Sequence, residues 1–292
     1  MDDKLDNTIN INKIRMVYFS PTGTTAKVVL RVSHRLAELL NCETKQFDFT
    51  MPTARQQELR FSNKDVVIFG VPVYAGRVPN ILLKYLEMLM GDGSLAVPVV
   101  VFGNRNYDEA LKELYSILKR QGFRSISAAA AFVGEHAFSK VLGIGRPDEA
   151  DLAATDEFAS GIAAKLTGDI VEEQMCTGGS ILPFESFLKT TQDPLGGYYQ
   201  PRDRDGNPID IRNVKPKTNE HCTNCGYCAQ ICPMGSINQE DVNVFVGICI
   251  KCGACIKKCP EQARYYDDSN YLYHKEELEQ QYTRRAEPTL FL

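Results

Sequence analysis

Residues 222–233 read CTNCGYCAQICP, and residues 249–260 repeat the pattern as CIKCGACIKKCP. Eight of the ten cysteines fall in these two runs, each Cys-x₂-Cys-x₂-Cys-x₃-Cys-Pro. Three thiolates at i, i+3 and i+6 can cap three irons of one cubane from a tight loop. By the general rule for this run, the fourth cysteine points away and serves the other cluster. That rule assigns Cys222, Cys225, Cys228 and Cys259 to one [4Fe–4S] centre, and Cys249, Cys252, Cys255 and Cys232 to a second. Structural zinc prefers two CxxC pairs across a longer spacer and has no use for a third cysteine or for Cys-Pro. A disulfide framework fits less well, because a chain of 292 residues can bury a core without staples.

Residues 216–267 resemble the bacterial two-cluster ferredoxins over their whole length. Pro233-Met234-Gly235-Ser236-Ile237 and Pro260-Glu261-Gln262-Ala263 are similar to the turns that follow the fourth cysteine in that family.

Upstream, residues 14–166 alternate short apolar runs with longer amphipathic ones, the mark of βα units on a parallel sheet. Strands are expected at Ile14–Phe19, Thr44–Phe49, Val66–Val71, Val97–Phe102 and Ser125–Val133. Helices are expected at Thr24–Leu40, from Val78-Pro79-Asn80 to about Met90, from Asp108 to Arg120 and from Pro147 to Leu166. The first strand runs through Ser20-Pro21-Thr22-Gly23-Thr24-Thr25 straight into a helix, where backbone N–H groups and the helix dipole suit a phosphate. Hydroxyls add donors and Gly23 admits close approach, but no Lys follows a glycine, so this is not a Walker loop. Gly143-Ile144-Gly145-Arg146 lacks the third glycine of a dinucleotide fingerprint.

The Ser20–Thr25 loop is similar to the phosphate loop of flavodoxins, which bind FMN on a five-stranded parallel sheet of order 2-1-3-4-5. What that resemblance implies is an α/β flavodoxin-like domain at residues 1–167. It implies ring-binding loops at Pro72-Val73-Tyr74-Ala75-Gly76-Arg77 and Gly103-Asn104-Arg105-Asn106-Tyr107. The latter loop is similar to the flavodoxin Gly-Asp-x-x-Tyr, whose tyrosine stacks on the isoalloxazine. Asn104 replaces that Asp and removes a negative charge near the flavin. Tyr107 and Tyr74 are the candidates to cover the ring. Arg77 and Arg105 could steady a reduced, anionic flavin or be ordinary surface charges. His136, in Gly134-Glu135-His136 at the end of the fifth strand, could donate a proton or be a hydrogen-bonded structural histidine.

The remaining segments are a connecting or docked arm at 168–215, with a short helix near Phe184–Thr190, and a charged terminal helix at 268–292 read as a solvated cap. Tyr198, Tyr199 and Ile209 point to docking of the arm. Cys42 and Cys176, with no Cys or His nearby in sequence, are read as structural or incidental. A net charge of −4 gives no basic footprint for nucleic acid or an anionic membrane. The Met1-Asp2-Asp3-Lys4 start has no apolar core and no apolar run spans a bilayer, so a cytoplasmic location is expected. The whole chain thus resembles fused flavodoxin–ferredoxin proteins of anaerobic prokaryotes. The cofactors implied are FMN and two [4Fe–4S] clusters, and the partners are redox proteins or a small-molecule acceptor. Two functions fit: an electron carrier, or a flavin oxidoreductase reducing a quinone or enone with electrons fed through the clusters.

Overall fold

The computed structural model describes residues 11–168 and 179–292, so Asp2–Lys4 and Cys176 lie outside the described residues. In the first part the elements are β1 (Lys13–Tyr18), α1 (Thr24–Leu40), β2 (Glu43–Asp48), β3 (Asp65–Pro72), α2 (Leu83–Leu86), β4 (Leu95–Phe102), α3 (Ala110–Arg120), β5 (Arg124–Ser125), β6 (Ala129–Val133) and α4 (Glu149–Thr167). The arm adds β7 (Ser180–Leu182) and α5 (Phe184–Thr190). The cysteine module holds β8 (Lys217–Thr218), α6 (Tyr227–Gln230), α7 (Ala254–Lys257) and β9 (Arg264–Tyr265), and the chain closes with α8 (Ser269–Gln281) and β10 (Thr289–Phe291).

The strands β2-β1-β3-β4-β6 pair in parallel, which is the flavodoxin-like order 2-1-3-4-5 once the two-residue β5 is set aside. β3 and β4 are apolar and buried nearly throughout because helices cover both faces of the sheet. Alternation sends Val67, Phe69 and Val100 to the face covered by Leu111 and Leu114 of α3, and Val66, Ile68 and Val99 to the face covered by Val28 and Val32 of α1 and Phe158 of α4. A parallel sheet wound this way gathers the loops after β1, β3, β4 and β6 at one edge, and that edge holds the candidate site.

The sheet is wider than the five strands expected. β10 pairs antiparallel with β6, and β7 from the arm pairs with β10, so the C-terminus covers what would otherwise be an open sheet edge. Leu290 joins the core on the α4 face, and Phe291 packs 5.1 Å from Phe187 of α5 on the other. The terminal segment is therefore not a solvated cap. Its helix buries Tyr271, His274 and Leu278, and its last residues belong to the first domain. The helix expected to run to Met90 is also short. Met88 and Leu89 donate to carbonyls three residues back, and Met90 is drawn into backbone bonds with Leu59 and Phe61.

Candidate functional site

The loop after β1 is closed from inside. The Ser20 N–H donates to Thr50 Oγ1 at 2.7 Å, and Ser20 Oγ accepts from the Ala26 N–H at 2.9 Å. Gly23 caps α1 in the left-handed region (φ 102°), and a Cβ there would meet nothing within 4 Å, so its outer side is open. The N–H groups of Thr22, Gly23, Thr24 and Thr25 donate to no acceptor among the described residues. Four orphan donors at the N-terminus of a 17-residue helix form a cradle that fits a phosphate. The Thr24 hydroxyl lies against Gly134 of the loop after β6.

In the loop after β3, Tyr74 and Arg77 exchange backbone hydrogen bonds at 2.9 and 3.1 Å around Ala75 (φ 49°) and Gly76 (φ 76°), a hairpin turn of the primed type. Gly76 is required twice over, since a Cβ there would also sit 2.3 Å from Asp108 Oδ2. Pro72 ends β3, and Val73 donates to the Val101 carbonyl and packs on the core. Arg77 turns away from this edge. It forks onto Glu113 at 2.6 and 2.9 Å, donates to the Gly196 carbonyl at 2.6 Å and lies over Tyr198. It is a buried clamp on the arm.

The loop after β4 is likewise spent on other segments. Asn104 Nδ2 donates to the Tyr282 and Arg284 carbonyls, both at 2.8 Å, and its Oδ1 accepts from the Ala286 N–H at 3.1 Å. Aspartate could supply only the last of these bonds, so asparagine stands there to latch the tail. Arg105 pairs with Asp108 and lies 4.3 Å from the centre of the Tyr199 ring. Asn106 is exposed and accepts from the Asp108 N–H. Tyr107 packs on Phe102 at 5.6 Å, and its hydroxyl bonds to Thr289 of β10. Those contacts tie Tyr107 to the tail. Gly103 passes so close to His136 that a Cβ would lie 2.7 Å from its Cα. Exchanging Asn104 for Asp should destabilise the tail by about 2–4 kcal/mol, because two carbonyls lose donors and face a carboxylate. Hydrogen exchange should then quicken along residues 282–291 while β3 and β4 stay protected.

His136 is half-buried, its Nδ1 accepting from the Phe138 N–H at 3.1 Å. Burial first, and then the charges of Lys257, His274 and Arg105, lower its pKa to about 3, so it is neutral at physiological pH and serves as a hydrogen-bonded support for its loop. The unfolded imidazole takes its proton near pH 6.5, at about the usual value. The stability it confers is thus full above that pH and is lost as pH falls towards 3. His136→Asn should flatten the acid side of the stability curve between those limits, read as unfolding midpoints against pH.

The cysteine runs fold as two copies of one loop. Asn224 and Gly226 in the first, like Lys251 and Gly253 in the second, take left-handed conformations before a one-turn helix. Cys222, Cys225, Cys228 and Cys259 line one cavity, while Cys232, Cys249, Cys252 and Cys255 line the other. The fourth cysteine of each run stands with the other run's three. All nine described cysteines are free thiols, and among the described residues no three candidate ligands converge as a single metal ion would need. Sulfurs set around a space of this kind fit a cubane better than zinc. Burial pushes Cys252 and Cys255 up to about 12, a cost that bonding to iron as thiolates removes. Cys42 is half-buried and packs on the α1 side of the core.

Both cysteine runs are seated on the flavodoxin-like edge. From the first, the Pro233 carbonyl accepts from Arg55 Nη2 at 2.5 Å; from the second, Lys257 pairs with Glu135 at 2.8 Å and Ile250 packs on the core. Gly253 comes so close to Ala137 that a Cβ would be 2.6 Å from its carbonyl oxygen. Burial, and then the nearness of Cys252 and Cys249, raises the Tyr74 hydroxyl well above its usual pKa. Tyr266 lines the Cys249 cavity, with the Tyr271 ring tilted against it at 4.0 Å and Phe138 at 4.8 Å from Tyr271. Tyr266 and Tyr271 belong to the site, although no motif in the sequence marked them. A wider cleft at Ala96, Pro98, Tyr115 and Phe123 lies where β4 begins and carries none of these groups.

Residues 221–264 match the family model of a 4Fe-4S dicluster domain. A domain of that kind transfers electrons, and the chain's chemistry is redox. No curated protein matches the chain. Among solved structures, a flavodoxin from the domain Archaea is 13% identical with a TM-score of 0.38, covering 53% of this chain and 98% of its own. A Streptococcus pneumonia TIGR4 flavodoxin is 20% identical with a TM-score of 0.38, covering 52% and 99%. The rubredoxin oxygen:oxidoreductase of Desulfovibrio gigas is 18% identical with a TM-score of 0.38, covering 55% and 37%. The fold assignment rests on the strand order and the loops rather than on these scores. No helix among the described residues is long and apolar enough to cross a membrane.

Proposed function

We propose that the chain is an electron carrier in which two [4Fe–4S] clusters and one FMN exchange electrons within a single polypeptide, and with redox proteins outside it. The observation that carries this reading is the seating of residues 249–257 against Tyr74, Ala137 and Glu135, on the sheet edge that gathers the phosphate loop and the two loops proposed for the ring. A cubane exchanges single electrons and FMN one or two, so such a chain can link one-electron and two-electron partners.

The chain's own residues support this in three ways. The Thr22–Thr25 N–H groups and the open side of Gly23 would hold a terminal monophosphate. Tyr74, at the junction of the β3 loop and the second cysteine loop, would be the aromatic that covers the ring. Tyr266 lines the Cys249 cavity, backed by Tyr271 and Phe138, which would shield a cluster there from water. The substrate-reducing alternative needs a proton donor beside the ring, for which His136, with Nδ1 already bonded, and the protonated Tyr74 hydroxyl are the candidates.

Anaerobic purification followed by heat release should yield FMN near one per chain. Thr24→Val and Thr22→Ala should each weaken its binding by about 1–2 kcal/mol, read by equilibrium dialysis. Recovery of FAD, or of no flavin, would overturn the flavin assignment.

A further inference from the structure

Arg264 carries a charge that no acid answers. It is 3% exposed, and its Nη1 donates to Cys228 Sγ at 3.3 Å and to the Val242 carbonyl at 3.0 Å, while Nη2 donates to the Pro216 carbonyl at 3.3 Å. Its Nε–H is buried with no partner, and no carboxylate among the described residues pairs with it. The guanidinium lies 5.5 Å from the centre of the Phe245 ring. Phe245 lines the Cys249 cavity and Arg264 itself lines the Cys222 cavity, so the cation stands between the two. A buried, unpaired cation is costly unless an anion compensates it. The anions this neighbourhood can offer are the cysteine thiolates.

We propose that Arg264 is the built-in counter-cation of the site formed by Cys222, Cys225, Cys228 and Cys259, raising that site's electron affinity. The inference rests on the iron–sulfur reading above. A cubane on four thiolates is anionic and gains a further negative charge on reduction. A fixed cation donating a hydrogen bond to a ligand sulfur therefore favours the reduced form. The Cys249 site has a cation of its own. Lys251, 8% exposed, donates to the Arg212 carbonyl at 2.8 Å and lies beside Cys249. Arg264 reaches Cys255 of that site by its charge alone, whereas it donates a hydrogen bond to a sulfur of the Cys222 site, where its effect is larger.

The test is an EPR-monitored redox titration of the full, anaerobically loaded chain, with iron and sulfide content measured first. In Arg264→Gln, the electron affinity of the Cys222 site should fall at least tenfold, which is about 59 mV for a one-electron couple. The Cys249 site should move less than threefold, and Arg264→Lys should recover at least half of the loss. Less than a threefold change at the Cys222 site, an equal change at both sites, or no recovery by lysine would overturn the proposal.

If Arg264→Gln does not take up iron, the wild-type chain decides. Pulsed EPR on protein labelled with ¹⁵N-arginine should show nitrogen coupling to the reduced Cys222 site, and its absence would overturn the proposal. A chain that holds zinc, or no iron at all, overturns the cofactor reading as well. A loaded chain with unmoved potentials overturns only the role of Arg264.

Discussion

Replacing Cys259 with alanine is expected to destroy the cluster of the run to which Cys259 does not belong in sequence. Cys259 closes the second cysteine run, yet it lines the cavity of Cys222, Cys225 and Cys228. Iron should fall by about four atoms per chain, one cubane, and the EPR signal that remains should belong to the site of Cys232, Cys249, Cys252 and Cys255. Cys232→Ala should do the converse. The two fourth cysteines are set alike: Cys232 Sγ accepts from the Ser236 N–H, and Cys259 Sγ from the Ala263 N–H, both at 3.4 Å. Mössbauer spectra of the two variants distinguish the outcomes. If Cys259→Ala instead spared the Cys222 site and lost the Cys249 site, each run would be closed on itself and the crossed assignment would fail.

The other large effect concerns Arg77. Its fork on Glu113 is deeply buried, with side-chain exposures of 11% and 5%, and Glu113 also accepts from the Val78 N–H at 2.9 Å. Arg77→Met should leave that carboxylate buried without its partner and free the arm at Gly196, costing about 3–5 kcal/mol of folding stability in chemical denaturation. FMN affinity should change less than threefold, because the guanidinium is already spent on Glu113 and the Gly196 carbonyl. A variant of ordinary stability that had lost its flavin would restore the role that the flavodoxin resemblance suggests for this position.

Arg77 also marks where reading the sequence stops. The five core strands were legible because β3 and β4 are continuous apolar runs, and α1 because its apolar residues recur at helical spacing into a capped end at Asn41. The cysteine loops were legible because their ligand spacing leaves few alternatives. What could not be read was how distant segments meet. In the sequence, Asn104 stands as a departure from a flavin motif. Its side chain instead matches three backbone groups of residues 282–286, a partnership between positions some 180 residues apart. Thr289-Leu290-Phe291 is too short for periodicity to mark a strand, and it becomes one only because β6 offers a free edge. In the arm, Phe184–Thr190 could be seen as a helix from its local pattern, whereas the bond from the Tyr199 N–H to the Ala75 carbonyl could not. Tyr266 and Tyr271 escaped notice because nothing in a tyrosine's sequence neighbourhood shows that it faces a cluster.

The central claim is that electrons pass between the cysteine module and the flavin domain inside one molecule. Its most direct test is flash reduction of the intact, loaded chain by a photoreductant, following the bleaching of flavin absorbance as the clusters reoxidise. Because the Cys249 loop is seated on the sheet edge where the flavin is proposed to bind, the rate should be first-order and constant over a hundredfold range of protein concentration. A rate that rises in proportion to protein concentration would mean that electrons travel between molecules, and would contradict it.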